Sequence, residues 1–269
     1  MHLCIKSILL GIVQGITEFL PISSTGHMII VDEYLKLPPG FREMFLVVVQ
    51  LGSILSVLVY FRKKLFPAEM FQGKDGMAHT WSLWWRVALG VVPAIVLGGL
   101  FGSWIKAKLY STITVAITLA IGGVVLILLE RGRYKSQYTE VRAMTPWRIL
   151  GVGLAQAFAM IPGVSRSAAT IIGALLLGMS REVAVEYSFY LAIPTMFAAS
   201  AYSLLKEGAA LNSGEWLAVA IGFVVAFLVA WGVIAMFMAY IRKRDFRVFG
   251  WYRIGLAAVL LIWLYFCRR

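Results

Sequence analysis

Long apolar runs make up most of this chain, and the short segments between them carry many of its lysines and arginines. A helix needs roughly 17–25 apolar residues to cross a bilayer. Six runs are long enough, at about 43–61, 84–105, 110–129, 184–205, 215–240 and 249–267. The pattern therefore predicts six transmembrane helices.

Two further apolar segments, 3–35 and 146–179, are each interrupted midway by a polar stretch with proline and glycine. We call the interruptions at 21–26 and 162–167 the first break and the second break. Proline and glycine there end one helix and start another. Because each half is too short to cross a bilayer, we expect two re-entrant helix hairpins. One kinked span per segment is the alternative.

The two broken segments resemble each other. Gln14 stands nine residues before Ser23, and Gln156 stands nine residues before Ser165. Three predicted spans follow each broken segment. Because three is odd, the second copy has to begin on the opposite face of the membrane. This is the inverted-repeat architecture, in which broken helices meet near the middle of the bilayer.

The composition agrees with a membrane protein, since 61% of residues are hydrophobic and 14% are charged. A soluble domain is closer to half apolar and a quarter charged. We predict an all-α polytopic membrane protein of one domain, 1–269, with six transmembrane helices and two re-entrant hairpins in an inverted repeat of about 1–130 and 146–269. The net charge of +12 is better explained by topology and anionic membrane lipids than by nucleic acid.

The basic residues predict the orientation. With six crossings, seven bases fall on one side of the membrane: Lys36, Arg42, Lys106, Lys108, Lys206, Arg268 and Arg269. Fifteen fall on the other: Arg62, Lys63, Lys64, Lys74, Arg86, Arg131, Arg133, Lys135, Arg142, Arg148, Arg242, Lys243, Arg244, Arg247 and Arg253. The richer side is expected in the cytoplasm, with both termini outside.

Charged residues within apolar segments usually mark function, because they are costly in hydrocarbon. Glu18 and Arg166 lie beside or within the two breaks, and Gln14 shares a helix face with Glu18. A structural ion pair between Glu18 and Arg166 is one interpretation. It does not explain the hydroxyl groups around both breaks, which are Ser23, Ser24, Thr25, Ser165, Ser167 and Thr170.

These hydroxyl groups, two helix N-termini and Arg166 suit an anion such as phosphate, although at least one hydroxyl on each side is expected to be an N-cap. His27 follows Ser24 closely and could serve as its base, or be a structural histidine. A hydroxyl nucleophile, a base and an anion clamp together predict phosphoryl transfer. Ser24 is the expected nucleophile, with water held at a metal ion as the main variant.

Glu18 and Gln14 offer oxygen ligands of the kind that Mg²⁺ or Ca²⁺ prefers. One carboxylate makes a weak site, so a diphosphate substrate would have to supply further ligands. The sequence therefore predicts a divalent cation shared with the substrate.

The stretch from Gln14 to His27, QGITEFLPISSTGH, resembles the first signature of the bacterial undecaprenyl-diphosphate phosphatase family, also called the bacitracin-resistance protein family. The stretch from Pro162 to Thr170, PGVSRSAAT, resembles its second signature. The resemblance covers essentially the whole chain. It differs from the family pattern at Ala168, where glycine is usual, and at Gln14, where a glutamate is replaced.

The resemblance implies an inner-membrane enzyme that converts undecaprenyl diphosphate to undecaprenyl phosphate and inorganic phosphate, recycling the lipid carrier of peptidoglycan synthesis at a site open to the outer face. It also implies that Glu18 and Gln14 bind the cation, that Ser24 and His27 are the nucleophile and its neighbour, and that Arg166 with Ser165 binds phosphate. A lipid-phosphate transporter or flippase is the alternative, because inverted repeats also build transporters. The sequence leaves a homodimer open.

Overall fold

The computed structural model describes residues 2–71, 73–132, 136–207 and 211–267. Within these ranges every regular element is helical, apart from one isolated bridge between Tyr138 and Met179. The α-helices are α1 Leu3–Thr17, α2 Ser24–Leu35, α3 Pro39–Tyr60, α4 Arg62–Leu65, α5 Lys74–Leu109, α6 Thr112–Arg131, α7 Pro146–Ala157, α8 Arg166–Leu176, α9 Arg181–Glu207, α10 Ser213–Ile241 and α11 Arg247–Cys267. Single 3₁₀ turns lie at Ala68–Phe71, Val141–Ala143 and Phe158–Met160.

Six of these helices, α3, α5, α6, α9, α10 and α11, are long and apolar enough to cross a membrane. They coincide with the six predicted runs, so the predicted all-α multi-pass membrane protein is confirmed. The largest difference is α5, which begins at Lys74 although the apolar run was predicted from residue 84. The polar residues before that run continue the same helix, with Asp75 in the first turn, where a negative charge is favourable.

Both predicted breaks interrupt helices. The first lies between α1, which ends at Thr17, and α2, which begins at Ser24. The second lies between α7 and α8 and includes a 3₁₀ turn. Proline alone does not decide this, because Pro93 and Pro194 lie inside continuous helices.

The chain forms two compact units, and each combines segments from both predicted repeats. The first contains Met1–Phe19, His27–Trp84 and Phe189–Phe237. The second contains Leu20–Gly26, Trp85–Ser188 and Met238–Arg269.

In the first unit, small residues let helix backbones approach closely. A Cβ atom on Gly11 would lie 2.8 Å from the carbonyl oxygen of Gly222, and one on Gly15 would lie 2.9 Å from that of Ala226. Such contacts are typical of membrane helices, which cannot rely on the hydrophobic effect to associate. The adjoining core consists of Leu10, Met28, Leu37, Phe41, Met44, Phe45, Val48, Val49, Ala218, Val219 and Ala226.

In the second unit, α7 and α8 pack as an antiparallel pair. A Cβ atom on Gly151, early in α7, would meet Leu177 at the end of α8, 2.8 Å from its Cδ1 atom. Nearer the break, one on Gly173 would meet Ala155. This pairing has the form of the predicted second hairpin, and re-entry of either hairpin into a bilayer stays a prediction.

Candidate active site

The first break turns at Ser23, whose φ of 71° lies in the left-handed region that non-glycine residues rarely adopt. The side chain of Ser23 is buried, and its hydroxyl oxygen accepts a hydrogen bond from the N–H of Gly26 at 3.3 Å. Ser23 is therefore the N-cap of α2. Its position fixes Ser24 as the first residue of the helix.

The second break repeats this geometry. Ser165 has a φ of 70°, and its hydroxyl oxygen accepts a hydrogen bond from the N–H of Ala168 at 3.3 Å. It caps α8, so Arg166 becomes the first residue of that helix. The expected capping serine on each side is confirmed. A positive φ and a capping hydrogen bond at the same place in both breaks are what the predicted repeat would produce.

Hydrogen bonds join the two breaks within the second unit. The hydroxyl of Ser167, in the first turn of α8, donates to the carbonyl oxygen of Leu20 at 2.9 Å. Ser167 also shares a hydrogen bond with the hydroxyl of Ser165, at 3.0 Å. The hydroxyl of Thr118, on α6, donates to the carbonyl oxygen of Pro162 at 2.7 Å. The start of α8 is thereby fixed to the residue that precedes the first break.

Arg253 adds a third connection, which the sequence did not predict. The distribution of bases predicts it among the cytoplasmic arginines and lysines, but it is a buried residue of α11 with 0% exposure. Its Nη1 donates to the carbonyl oxygen of Pro21 at 3.2 Å. Its Nη2 donates to the carbonyl oxygens of Gly163 at 3.2 Å and Val164 at 3.1 Å. The available signal was its position inside the run predicted to span, at 249–267.

Arg166 and Thr170 are connected through α9. The Nη1 of Arg166 donates to the carbonyl oxygen of Ser188 at 3.0 Å. The hydroxyl of Thr170 shares a hydrogen bond with the hydroxyl of Ser188 at 2.6 Å. Thr170 is fully buried, and its hydroxyl also donates to the carbonyl oxygen of Arg166 at 2.8 Å. In the structure Thr170 supports the helix turn that carries Arg166. That Thr170 also contacts phosphate stays a prediction.

Glu18 and Gln14 meet in the first unit, at the end of α1. The Nε2 of Gln14 donates to a carboxylate oxygen of Glu18 at 2.7 Å, and both side chains are buried. The following residue, Phe19, packs edge-on against Phe189 with ring centroids 4.9 Å apart. This aromatic contact anchors the chain directly after the carboxylate.

On α2, Ser24 and His27 are both half-buried and Thr25 is exposed. Residues three apart on a helix are neighbours on one face, so His27 lies on the same face as Ser24. The N-terminal ends of α2 and α8 each carry the partial positive charge of a helix dipole. A phosphate group at these ends would be stabilised by that charge and by Arg166.

The compact units separate the predicted groups. Glu18 and His27 belong to the first unit, whereas Ser24 and Arg166 belong to the second. The expected approach of Glu18 to Arg166 stays a prediction.

Similarity to known proteins extends over nearly the whole chain. Residues 7–259 match the family described as bacitracin resistance protein BacA. The chain is 49% identical over 262 residues to undecaprenyl-diphosphatase 1 of Clostridioides difficile, covering 97% of this chain and 96% of that protein. It is 47% identical over 264 residues to an undecaprenyl-diphosphatase of Enterococcus faecalis, with 96% of each chain covered.

This chain belongs to the BacA family. The resemblance inferred from residues 14–27 and 162–170 is therefore confirmed. The relatives named above are described as diphosphatases, which gives the transporter alternative no support.

The donor set of this BacA family member fits a divalent cation in part. Among the described residues, no group of three or more His, Cys, Asp or Glu side chains could hold a metal ion. The protein therefore offers the Glu18 carboxylate and the amide oxygen of Gln14, whose Nε2 is used by Glu18. Hard cations accept such oxygens together with substrate phosphate, so these residues fit an ion that the substrate helps to bind.

Proposed function

We propose that this protein is a membrane phosphatase that hydrolyses undecaprenyl diphosphate to undecaprenyl phosphate and inorganic phosphate. The observation that carries the proposal is the joining of the two breaks by Ser167 and Arg253, which places two hydroxyl-rich helix N-termini in one unit. The names of the BacA relatives supply the substrate. We propose the bacterial inner membrane as the location, with the site open to the outer face. The proposal does not depend on a homodimer.

In the proposed mechanism, the Ser24 hydroxyl oxygen attacks the terminal phosphorus of the diphosphate. Its proton passes to His27 or Glu18, and the bond from phosphorus to the bridging oxygen breaks, releasing undecaprenyl phosphate. Water then cleaves the phosphoserine and yields inorganic phosphate. Arg166 stabilises the charge that develops on the phosphoryl oxygens, assisted by the backbone N–H groups of Ser165 and Ser167 and by the helix dipoles.

Glu18 and Gln14 would hold the divalent cation, Mg²⁺ or Ca²⁺, together with the substrate phosphates. The ion would offset the negative charge of the diphosphate. The hydrogen bond between Gln14 and Glu18 orients the carboxylate for this role.

Phosphate release by the purified protein, given undecaprenyl diphosphate, tests the proposal. We expect release by the wild type, loss with chelator, and recovery when Mg²⁺ or Ca²⁺ is added. Glu18→Gln should abolish release, whereas Glu69→Gln, at an exposed position on another segment, should not change it. Release that neither chelator nor Glu18→Gln affects would contradict the metal assignment.

Two further variants test the chemical roles. Ser24→Ala should abolish turnover, and near-normal activity would remove this serine from the mechanism. Arg166→Gln should lower kcat by about 10²-fold or more if the guanidinium stabilises the transition state. A labelled phosphoryl group trapped on Ser24 by acid quenching would support covalent catalysis over direct attack by water.

A further inference from the structure

Arg253 is the largest fully buried side chain among the described residues. Gly122 on α6 leaves room for it, since a Cβ atom there would lie 2.9 Å from the Cζ atom of Arg253. In the part of the chain that the structure describes, every acceptor of its hydrogen bonds is a neutral carbonyl oxygen. Burying a cation without a carboxylate is costly, so a neutral side chain would serve mere packing better.

The acceptors belong to three segments that are distant in sequence. The first break contributes Pro21 and the second contributes Gly163 and Val164. From α6, Thr118 and Leu119 accept at 3.2 and 3.3 Å. The planar guanidinium fork therefore sets the distance between the two breaks and fixes both against α6.

The contact with Val164 also orients a peptide group of the candidate site. In a trans peptide the C=O and the following N–H point in opposite directions, and the described chain has no cis peptide. Because the Val164 carbonyl faces Arg253, the N–H of Ser165 faces away from it. Within the described residues this N–H donates to no backbone carbonyl, and it directly precedes the first turn of α8.

We infer that Arg253 is a positioning residue for the phosphatase reaction. It holds Ser165 in its left-handed conformation, so that the Ser165 N–H and the N-terminal end of α8 face the phosphate together. It also places a positive charge behind both helix N-termini. Because the surroundings have a low dielectric constant, this charge stabilises an anion bound at those N-termini. This inference rests on the proposed function and assigns a role to a residue outside both signature motifs.

Arg253→Lys tests the inference, because an ammonium keeps the charge but cannot reproduce the planar fork. We expect a folded protein, judged by a single gel-filtration peak, whose kcat falls at least about tenfold while KM changes less than about threefold. Arg253→Ala should lose more activity and regain part of it with guanidinium ion, but not with ammonium ion.

Gly122→Ala tests the same contact without changing the arginine, since the added methyl group collides with the guanidinium. Gly255→Ala is the matched control, because no atom lies within 4 Å of a Cβ atom at that position on α11. We expect a lower kcat for Gly122→Ala and wild-type kcat for Gly255→Ala. If Arg253→Lys does not fold, this pair decides the question.

Three results are distinguishable. If the wild type releases no phosphate from the lipid diphosphate, the proposed function fails. If the wild type is active, and Gly122→Ala and any folded Arg253→Lys keep kcat within about twofold of it, the positioning role is wrong even where thermal stability falls. If the kcat of Arg253→Lys and of Gly122→Ala falls, and guanidinium ion but not ammonium ion restores activity to Arg253→Ala, the inference is supported.

Discussion

Ser23 and Ser165 hold the same unusual backbone conformation, with φ of 71° and 70°. Strain of this kind costs about 1–3 kcal/mol per residue and persists only where surrounding contacts enforce it. Each serine offsets part of the cost by capping a helix. The strain sets the direction in which α2 and α8 leave the breaks, and so the position of their first residues, Ser24 and Arg166.

Substitution of Ser23 separates strain from capping. Glycine loses the cap at a cost of a few tenths of a kcal/mol but adopts a positive φ without strain. Alanine loses the cap, costing about 1 kcal/mol, and keeps the strain. We therefore expect Ser23→Gly to retain the wild-type thermal midpoint in detergent and Ser23→Ala to lower it. Equal midpoints for the two variants would contradict this account.

Gly163 is required for two reasons, its φ of 88° and its close approach to α6. A Cβ atom there would lie 2.7 Å from both the Cα atom and the carbonyl oxygen of Val115. Gly163→Ala should cost about 2–4 kcal/mol of unfolding free energy. The matched control is Gly99→Ala, where no atom lies within 4 Å of the added Cβ, and its thermal midpoint should be unchanged. A stable Gly163→Ala protein would mean that this backbone can relax.

At the scale of helices, hydrophobic run length predicted the six spans well because a lipid environment demands one particular helix length. The breaks were predictable because proline, glycine and several hydroxyl residues occur together there, whereas Pro93 and Pro194 have no adjacent glycine and remain inside helices. Run length did not predict the polar start of α5 at Lys74. A helix can continue through polar residues, so the length of the apolar run does not mark where α5 begins.

An ion pair connects α6 to α9 in the second unit. Arg181 binds both carboxylate oxygens of Glu130, whose side chain is 3% exposed, while that of Arg181 is 39% exposed. The N–H of Phe246 also donates to Glu130, at 3.3 Å. The pair thus joins the end of α6, the start of α9 and the residue before α11.

The unequal burial predicts unequal costs. Arg181→Gln leaves a buried carboxylate without its cation, which is strongly destabilising. Glu130→Gln leaves an arginine that can still reach water and should cost less. We expect a lower thermal midpoint for Arg181→Gln than for Glu130→Gln, and a double variant less damaged than the sum of the two. The reverse order would show that the contact with Phe246 dominates.

For the whole molecule, the sequence could identify the residues of the candidate site but not every connection among them. Repeated motifs marked both breaks, since hydroxyl groups and Arg166 are conspicuous in apolar segments. Arg253 escaped because a base near the start of a span resembles an interfacial residue. Its acceptors are backbone carbonyls of distant segments, and no side-chain pattern indicates them.

The reassignment of Arg253 also bears on the orientation of the chain. Without it, the proposed cytoplasmic side keeps fourteen of its fifteen bases against seven opposite, so the expected topology is unchanged. Alkaline phosphatase fused after Arg269 should therefore be active in a bacterial host, and a fluorescent protein fused there should be dark. The same reporters fused after Arg244, before α11, should give the opposite result, because α11 crosses between the two positions. A bright fluorescent protein after Arg269 would contradict the predicted orientation, because the side with more basic residues would then lie outside the cytoplasm.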